Sequence, residues 1–341
     1  MNSQQTPTAP RVTKESKNKI RVEFERTPLK ERLKAKFLNM NFFKNVVVRI
    51  FTYVLLIGIS YVILFPFFAK ISGYFMSRDD FVDVTVKLIP KYPTLDTYKA
   101  IISENGYFTA LFNTFTLSVL CGLIQTFICC VIGYGLAKFK FKGNKLIFFL
   151  VIFTMVVPHR TLQLSMFMKF RYFDILGIFE LIFGEAFNLN NTYWPLALLS
   201  IGGLAFKNGL YIFMMRQFFR GVPDELEESA YIDGSGVFRT FLQIILPLSV
   251  PMMITIFLFA FSWQWTDNFY TTVFFTKTNM VLMPDIIGIP KTLDTQYAAQ
   301  NLYESAIRNT CGLLILLPLL VMYVFLQRYL IGGIERSGIV G

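Results

Sequence analysis

Six segments of this 341-residue chain are each long and apolar enough to cross a lipid bilayer. A spanning helix needs about 20 mainly apolar residues. The six segments lie near residues 50–69, 109–137, 146–168, 194–218, 247–270 and 305–326. Because no water in the bilayer core can satisfy the backbone, a spanning segment must pair its polar groups internally. The pattern therefore predicts an all-α fold: a polytopic membrane bundle of six transmembrane helices.

The composition also indicates a membrane protein. Hydrophobic residues make up 54% of the chain and charged residues only 16%, whereas a soluble domain carries about 25% charged residues. The net charge of +11 comes from bases that flank the apolar segments, a placement that the positive-inside rule explains. No known nucleic-acid-binding motif accompanies these bases, so we expect membrane lipid, and no nucleic acid, as a partner.

The basic residues predict the orientation of the chain. They concentrate in an N-terminal arm (1–48), in the loops after the second and fourth segments, and in a C-terminal tail (328–341). An even number of spans places all of these on one side, and cytoplasmic loops are the ones that carry excess Lys and Arg. We therefore expect a cytoplasmic basic arm at 1–48, a transmembrane domain at 49–341, and both termini in the cytoplasm.

Motifs for catalysis and nucleotide binding are missing from the sequence. It has no Gly-Lys dipeptide, and hence no Walker A loop, and it has neither GxSxG nor HExxH. Its single histidine, His159, argues against a histidine-containing metal site. We expect a chain that is not an enzyme and has no cofactor of its own; if ATP drives transport, another subunit binds it.

Residues 222–251, VPDELEESAYIDGSGVFRTFLQIILPLSVP, form a charged interruption between two apolar segments. Pro223 suits the first turn of a helix, and the acids at 224–228 favour the positive end of its dipole. Gly234-Ser235-Gly236 permits a sharp turn, after which apolar residues recur with helical spacing from Phe238 to Ile245. This predicts a helix–turn–helix joined to the fifth span. It either rests on headgroups or docks a partner, and its acids favour docking because the inner leaflet is negative.

Three stretches carry a resemblance to a known family. ESAYIDG (228–234), followed by IILPL (244–248), resembles the EAA loop of ABC importer permeases, with Ser229 in place of the first alanine. PTLDTYKAI and FTALFNTFTLSV look like the start of the second span in maltose-type carbohydrate permeases. QRYLIGGIERSGIVG resembles the tail of the second permease subunit in those systems. The resemblance covers most of residues 50–341. The basic N-terminal arm is longer than the N-termini that are usual in that family.

The resemblance implies a type I ABC importer permease fold in a bacterial plasma membrane, with a coupling loop at 219–246. It implies three protein partners: a second homologous permease subunit, an ABC ATPase dimer that binds ATP and Mg, and an extracellular solute-binding protein or lipoprotein that would face the loop near 277–303. Glu228 would anchor the loop on the ATPase, and Gly234 would supply its turn. The implied ATPase-coupling residues are Glu227, Glu228, Ala230, Asp233, Gly234 and Arg239.

Candidate substrate contacts are polar and aromatic residues within or beside the second and fifth segments. They are Asn113, Gln125, Trp263, Trp265, Asp267 and Asn268. Asp267 is the strongest candidate among them, because an acid at membrane depth is costly and usually faces a cavity. The competing interpretation is an interfacial aromatic belt for the tryptophans and helix packing for Asn113 and Gln125. His159 and Arg160, which follow Pro158, either line the pathway at a helix break or have a packing or gate role.

Two other functions stay open from the sequence. One is an ABC importer permease for a non-sugar solute such as a peptide or a polyamine, although the TLDTY and QRYL stretches favour sugar. The other is a self-sufficient secondary transporter. It is disfavoured because such proteins usually show internal repeats and membrane-embedded charges, and neither is evident here.

Overall fold

The computed structural model describes residues 12–15, 19–22, 40–276, 280–293, 295–296 and 300–336, with side chains for 43–276, 280–293, 295–296 and 300–327. The chain divides into two compact units, Met1–Ala69 and Lys70–Gly341. The α-helices, numbered here in chain order, are α1 (Met40–Gly73), α2 (Arg78–Val82), α3 (Asp96–Glu104), α4 (Tyr107–Lys138), α5 (Asn144–Val156), α6 (Gln163–Arg171), α7 (Ile178–Phe183), α8 (Trp194–Ile201), α9 (Asn208–Arg220), α10 (Glu225–Ile232), α11 (Val237–Thr240), α12 (Leu246–Trp265), α13 (Phe269–Phe274) and α14 (Gln300–Arg336).

The first unit holds a short hairpin and most of α1. Strand β1 (Val12–Glu15) pairs antiparallel with β2 (Lys19–Val22), so this part of the arm departs from the all-α prediction. Val, Thr and Ile supply the β-branched side chains that favour strands. The helix α1 is longer than the predicted span at 50–69, because it begins within the basic arm. The rest of the arm lies outside the described residues.

The second unit packs around α4. Residues of α4 take part in three buried apolar clusters: one with α9 and α12, one with α12 and α14, and one with α6, α8 and α13. The helix runs unbroken through Gly122, Gln125 and Gly133, which interrupt its apolar sequence. A Cβ at Gly133 would lie 2.5 Å from the Cβ of Met215. This glycine therefore allows α4 and α9 to approach closely, as small residues do in membrane bundles.

Two of the six predicted spans are not single helices. The segment at 146–168 is α5 and α6, which are bent by 92° across the Pro158 break, because proline has no N–H and restricts the residue before it. The segment at 194–218 is α8 and α9, separated at 202–207, where Gly203 and Lys207 both have φ of 67°. The described residues contain four helices able to cross a membrane, or five if the bent pair is one span. The count of six stays a prediction.

The fifth predicted span lies inside a longer helix. The helix is continuous from Val237 to Trp265 and contains a π-helical segment, Phe241–Ile245, between α11 and α12. Pro247 and Pro251 lie in the first two turns of α12, and each removes one i→i−4 hydrogen bond. The amphipathic run after the Gly-Ser-Gly turn is thus joined to the span without a break, as the sequence predicts.

The sixth predicted span, 305–326, lies within α14. This helix continues to Arg336, so part of the predicted tail at 328–341 is helical. Residues 337–341 lie outside the described residues.

Candidate functional site

The acidic helix α10 ends in a Schellman motif. Asp233 is the C-cap residue of α10, and Gly234 follows with φ of 80°. The Gly234 N–H donates to the Tyr231 carbonyl at 3.0 Å, and the Ser235 N–H donates to the Ala230 carbonyl at 2.9 Å. These are the two bonds that define the motif, which favours glycine at the left-handed position. Gly234 therefore makes the turn that the sequence assigns to it.

The predicted coupling residues divide into an exposed and a buried group. Glu228, Asp233 and Arg239 are exposed, whereas Glu227 and Ala230 are buried. Arg239 donates from Nε to the Gln243 Oε1 atom at 3.1 Å. The Glu227 carboxylate lies beside the Tyr134 hydroxyl on α4. The exposed group is therefore available to a partner, while Glu227 and Ala230 seat α10 on the helix bundle.

A buried lysine ties the start of α10 to the end of α4. The Lys138 ammonium donates to the Val222 carbonyl at 2.7 Å and to the Asp224 Oδ1 atom at 2.5 Å. The lysine side chain is 7% exposed, and that of Asp224 is 76% exposed. Hydrogen bonding from Lys138, followed by its positive charge, lowers the pKa of Asp224. The first turn of the loop is thus fastened to α4 by a charged contact that the sequence did not single out.

Three of the predicted substrate residues line one narrow cleft halfway along α4. Gln125, Trp263 and Asp267 face it together with Phe206, Ala260, Gln264 and Tyr270. Gln125 is 3% exposed and donates from Nε2 to the Ser200 hydroxyl at 3.4 Å. Its Oε1 atom and the Gln264 Nε2 atom are buried without a hydrogen-bond partner among the described residues. The cleft therefore presents an acceptor, a donor and an aromatic face.

Asp267 also serves as a helix cap. Its carboxylate accepts from the Tyr270 N–H at 3.3 Å and from the Thr271 N–H at 2.9 Å. The Thr271 hydroxyl donates to the same carboxylate. These donors belong to the first turn of α13, where a carboxylate is stabilised by unpaired backbone N–H groups. Asn268 is exposed and stands at the N-cap of α13.

The other two predicted substrate residues, Trp265 and Asn113, make packing contacts between elements of the fold. Trp265 is 1% exposed, stacks on Phe261 and donates from its indole N–H to the Ile315 carbonyl at 2.9 Å. It therefore packs α12 against α14 and lies neither in the cleft nor in an interfacial belt. Asn113 donates from Nδ2 to the Val281 carbonyl at 3.1 Å. It fastens the segment after α13 to α4.

The segment 281–293 is fastened at further points near the start of α4. Thr114 accepts from the Met283 N–H, and Asn105 donates to the Ile286 and Gly288 carbonyls. The Glu104 carboxylate accepts from the Thr292 hydroxyl and from the Lys291 and Thr292 N–H groups. These contacts, with the Thr292 hydroxyl contributing most, lower the pKa of Glu104.

His159, which the sequence left open between several roles, shares a hydrogen bond with the Tyr270 hydroxyl at 3.2 Å, which places it beside the cleft. Sequence reasoning passed over two other residues near these sites, Lys138 and Lys207. Lys207 stands close to the rings of Phe206 and Trp263. A lysine inside an apolar segment is a signal that could have found Lys207. Nothing in the sequence pairs Lys138 with Asp224.

The comparison with family models gives one match over most of the second unit. Residues 130–336 match the model described as the inner membrane component of binding-protein-dependent transport systems. That region holds α5 to α14 and the end of α4. It includes the whole predicted coupling loop.

Curated relatives match over most of their own length. The chain is 27% identical to the arabinooligosaccharides transport system permease protein of Halalkalibacterium halodurans, over 86% of this chain and 98% of that one. It is 28% identical to the maltodextrin transport system permease protein of Streptococcus pneumoniae, over 84% of this chain and 94% of that one.

A solved structure shows the same fold. It is a chain of a bacterial ABC transporter involved in the import of the acidic polysaccharide alginate. The two chains superpose with a TM-score of 0.63 at 18% identity, covering 84% of this chain and 97% of that one. This chain thus has the fold of an ABC importer permease, is a multi-pass membrane protein, and belongs to the family of inner membrane components of binding-protein-dependent transport systems.

Proposed function

We propose that this chain is a permease subunit of an ATP-driven importer of carbohydrate, in particular of oligosaccharide, and that it couples to a separate ATPase through the loop 219–246. The substrate class rests on the relatives, whose names give arabinooligosaccharides and maltodextrin as their cargo. The chain forms half of the translocation pathway and catalyses no reaction itself.

The proposal depends mainly on the structure of the coupling loop. A partner in the cytoplasm meets the exposed Glu228, Asp233 and Arg239. Force on α10 reaches the bundle by two routes: the Lys138–Asp224 contact leads to α4, and the Gly234 turn leads through α11 to α12. Because α4 and α12 pack on each other, a push on the loop moves them together, as rigid-body rocking of a transporter requires.

The complete importer needs further chains. A second homologous permease supplies the other half of the pathway, and an ATPase dimer binds ATP and Mg. A solute-binding protein or lipoprotein delivers the sugar at the opposite face, near 277–303. Both termini lie in the cytoplasm of a bacterial cell, with the basic arm at 1–48 and the tail at 328–341 on the ATPase side. The fastened segment 281–293 supports this assignment, since a receiving surface benefits from a fixed shape.

Co-purification and transport test the proposal together. The chain is expressed with its genetic neighbours, purified and placed in liposomes, and uptake of radiolabelled oligosaccharides is measured. We expect an ATPase and a second permease to co-purify, and uptake to require both ATP and the binding protein. Purification without an ATPase would refute the coupling assignment. ATP-dependent uptake of a non-sugar solute alone would refute the substrate class.

A further inference from the structure

We propose that the end of α9, together with the start of α5, binds one anionic phospholipid, with Lys145, Arg216 and Arg220 contacting its phosphate headgroup. We call these three residues the basic junction. The distribution of Lys and Arg along the sequence predicts that this end of the helices is cytoplasmic. The inference concerns the lipid around the chain, whatever its cargo, and so goes beyond the proposed function.

The Arg216 side chain is held in place at a point where three helices meet. Its guanidinium carbon lies 3.8 Å from the ring centroid of Phe148 on α5, and its Nε donates to the Leu136 carbonyl on α4 at 3.4 Å. The Leu136 carbonyl also accepts from Nδ2 of Asn144, the first residue of α5, at 3.2 Å. Phe148 in turn stacks on Phe213 of α9, with 6.2 Å between the ring centroids. The guanidinium is therefore fixed before any ligand arrives.

Most of the Arg216 donors remain available for a ligand. Arginine carries five N–H donors, and among the described residues only the Leu136 carbonyl accepts from Arg216. The other donors lie in the guanidinium plane, a geometry that binds phosphate oxygens in pairs. Arg216 is half-buried, and Arg220 and Lys145 are exposed, so an anion at the surface can reach all three residues.

The basic junction concentrates positive charge without an acid to balance it. Arg216 and Arg220 are four residues apart on α9, a spacing that places like charges side by side and destabilises the helix. Lys145 precedes Phe148 by three residues on α5, so it lies on the side of α5 that meets Arg216. In the part of the chain that the structure describes, none of the ion pairs includes these three bases. A bound anion would remove the repulsion.

Two neighbouring lysines differ in this respect. Lys138 forms an ion pair with Asp224, and the charge of Lys140 also acts on that carboxylate. The start of the coupling loop thus balances the bases at the end of α4 and leaves those of the basic junction to another partner.

The surface that continues from the basic junction is apolar. After Lys145, α5 contains neither an acid nor a base, and its exposed side chains include Leu146, Phe149, Leu150 and Phe153. A phospholipid has the same order of parts, with an anionic headgroup above acyl chains. The cytoplasmic leaflet is also the one that carries anionic lipids, which attract clustered bases beside a membrane helix. The combination favours a lipid over a soluble anion.

Native mass spectrometry of the whole importer in mild detergent tests the inference. Phosphatidylglycerol and phosphatidylethanolamine with identical acyl chains are titrated, and the apparent Kd of each bound lipid is measured. We expect the wild type to bind phosphatidylglycerol about tenfold more tightly. Arg216→Gln should weaken that binding about tenfold to a hundredfold, the value of a charge-assisted hydrogen bond. It should weaken phosphatidylethanolamine binding less, because the ammonium of that lipid already balances its phosphate.

Two further variants make the test independent of folding. Arg220 is exposed, so Arg220→Gln tests the site without disturbing the contact of Arg216 with Phe148, and it should also weaken phosphatidylglycerol binding. Arg49→Gln removes an exposed base from α1 and should leave the count of tightly bound lipids unchanged. The Arg216→Gln, Arg220→Gln double variant should hold one such lipid fewer for each copy of this chain.

Four results would overturn the inference. Equal affinity of the wild type for the two lipids, or equal losses in Arg49→Gln and Arg220→Gln, would show only a general attraction between bases and lipid. Displacement of the lipid by inorganic phosphate would show that the acyl chains contribute nothing. Release of a partner subunit from Arg220→Gln would identify a protein carboxylate as the counter-ion. Each result leaves the proposed import of carbohydrate standing, since none of them measures uptake.

Discussion

Gly234 and Gly236 stand two residues apart in the coupling loop but differ in what they demand of the side chain. Gly234 has φ of 80°, whereas Gly236 is extended with φ of −79°. A Cβ at either position would meet no atom within 4 Å. Any difference between substitutions at the two sites therefore reports backbone conformation and not crowding.

We predict that Gly234→Val disrupts coupling and that Gly236→Val does not. A β-branched residue at positive φ is strained by about 1–2 kcal/mol, enough to shift the turn population five- to thirtyfold. Sugar uptake should fall in Gly234→Val by about tenfold while the chain still inserts into the membrane. Uptake and membrane abundance are measured together, and normal uptake in Gly234→Val would contradict the role of the turn.

Trp263 and Trp265 are neighbours with different surroundings. Trp265 is buried between α12 and α14, and Trp263 borders the cleft. We predict that Trp265→Ala lowers the stability by about 3–5 kcal/mol, as for large aromatic residues in cores, and so lowers the thermal unfolding temperature. Trp263→Ala should leave that temperature nearly unchanged and reduce sugar uptake severalfold. Thermal unfolding and uptake kinetics are measured on both variants. If Trp265 were the substrate contact, Trp265→Ala would lower uptake without lowering the unfolding temperature.

At the scale of elements, the loop and the bundle are joined by a charged contact and by a continuous helix. The Lys138–Asp224 contact couples α10 to α4. Asp224 has a lowered pKa, so its ionised form is favoured in the folded protein. Its stabilising contribution is complete above the usual aspartate pKa of 3.8 and is lost as the pH falls through the lowered value. The contact is therefore intact at neutral pH.

We predict that Lys138→Met uncouples the importer. The Val222 carbonyl loses its donor and Asp224 loses its cation, so ATP hydrolysis should continue while sugar transported per ATP falls severalfold. Asp224→Asn keeps an acceptor for Lys138 and should have a smaller effect. Lys142→Met serves as the control, since Lys142 is exposed in the short loop that follows α4. The ratio of uptake to hydrolysis is measured for each, and a similar ratio in Lys138→Met and Lys142→Met would rule out this route.

The sequence predicted the elements whose signal is local. Apolar length predicted α4, α12 and α14, and the run of acids with Gly234 predicted α10 and its turn. Pro158 marked the position at which the third segment bends. The break at 202–207 was not predicted, although the Gly202-Gly203 pair is a turn signal and Gly203 has positive φ there, because the apolar length of the segment outweighed that pair. The pattern also grouped Trp265 with Trp263 in function, although helical rotation carries the two rings to different surroundings.

At the scale of the whole molecule, the topology depends on how many times the chain crosses the membrane. The broken fourth segment consists of α8, with 8 residues, and α9, with 13 residues. At about 1.5 Å per residue these lengths sum to about 30 Å, the thickness of the hydrocarbon core. Two short helices can thus complete one crossing if they are close to collinear. The bent pair α5 and α6 can complete another.

We predict six crossings, tested by labelling of introduced cysteines with a membrane-impermeant maleimide. The native cysteines are all buried. Val84→Cys, Leu181→Cys and Ile232→Cys each replace a residue that is at least 86% exposed. The first two should react in intact cells, and Ile232→Cys only after permeabilisation. Leu181→Cys reacting only after permeabilisation would show that the bent pair does not cross. Leu181→Cys and Ile232→Cys both reacting in intact cells would show that α8 and α9 do not cross.

The π-helical segment Phe241–Ile245 lets the helix from Val237 to Trp265 hold one extra residue. A π segment places one more residue in the helical turn than an α-helix does, and each residue of an α-helix turns the chain by about 100°. Because the wider turn still closes one revolution, deleting one residue from Phe241–Ile245 would give regular α-helix and leave the direction of Glu228 nearly unchanged. Deleting one residue from α12 would instead rotate Glu228 by about 100° about the helix axis. The direction in which the loop faces therefore tolerates the loss of one residue at the π segment but not within α12.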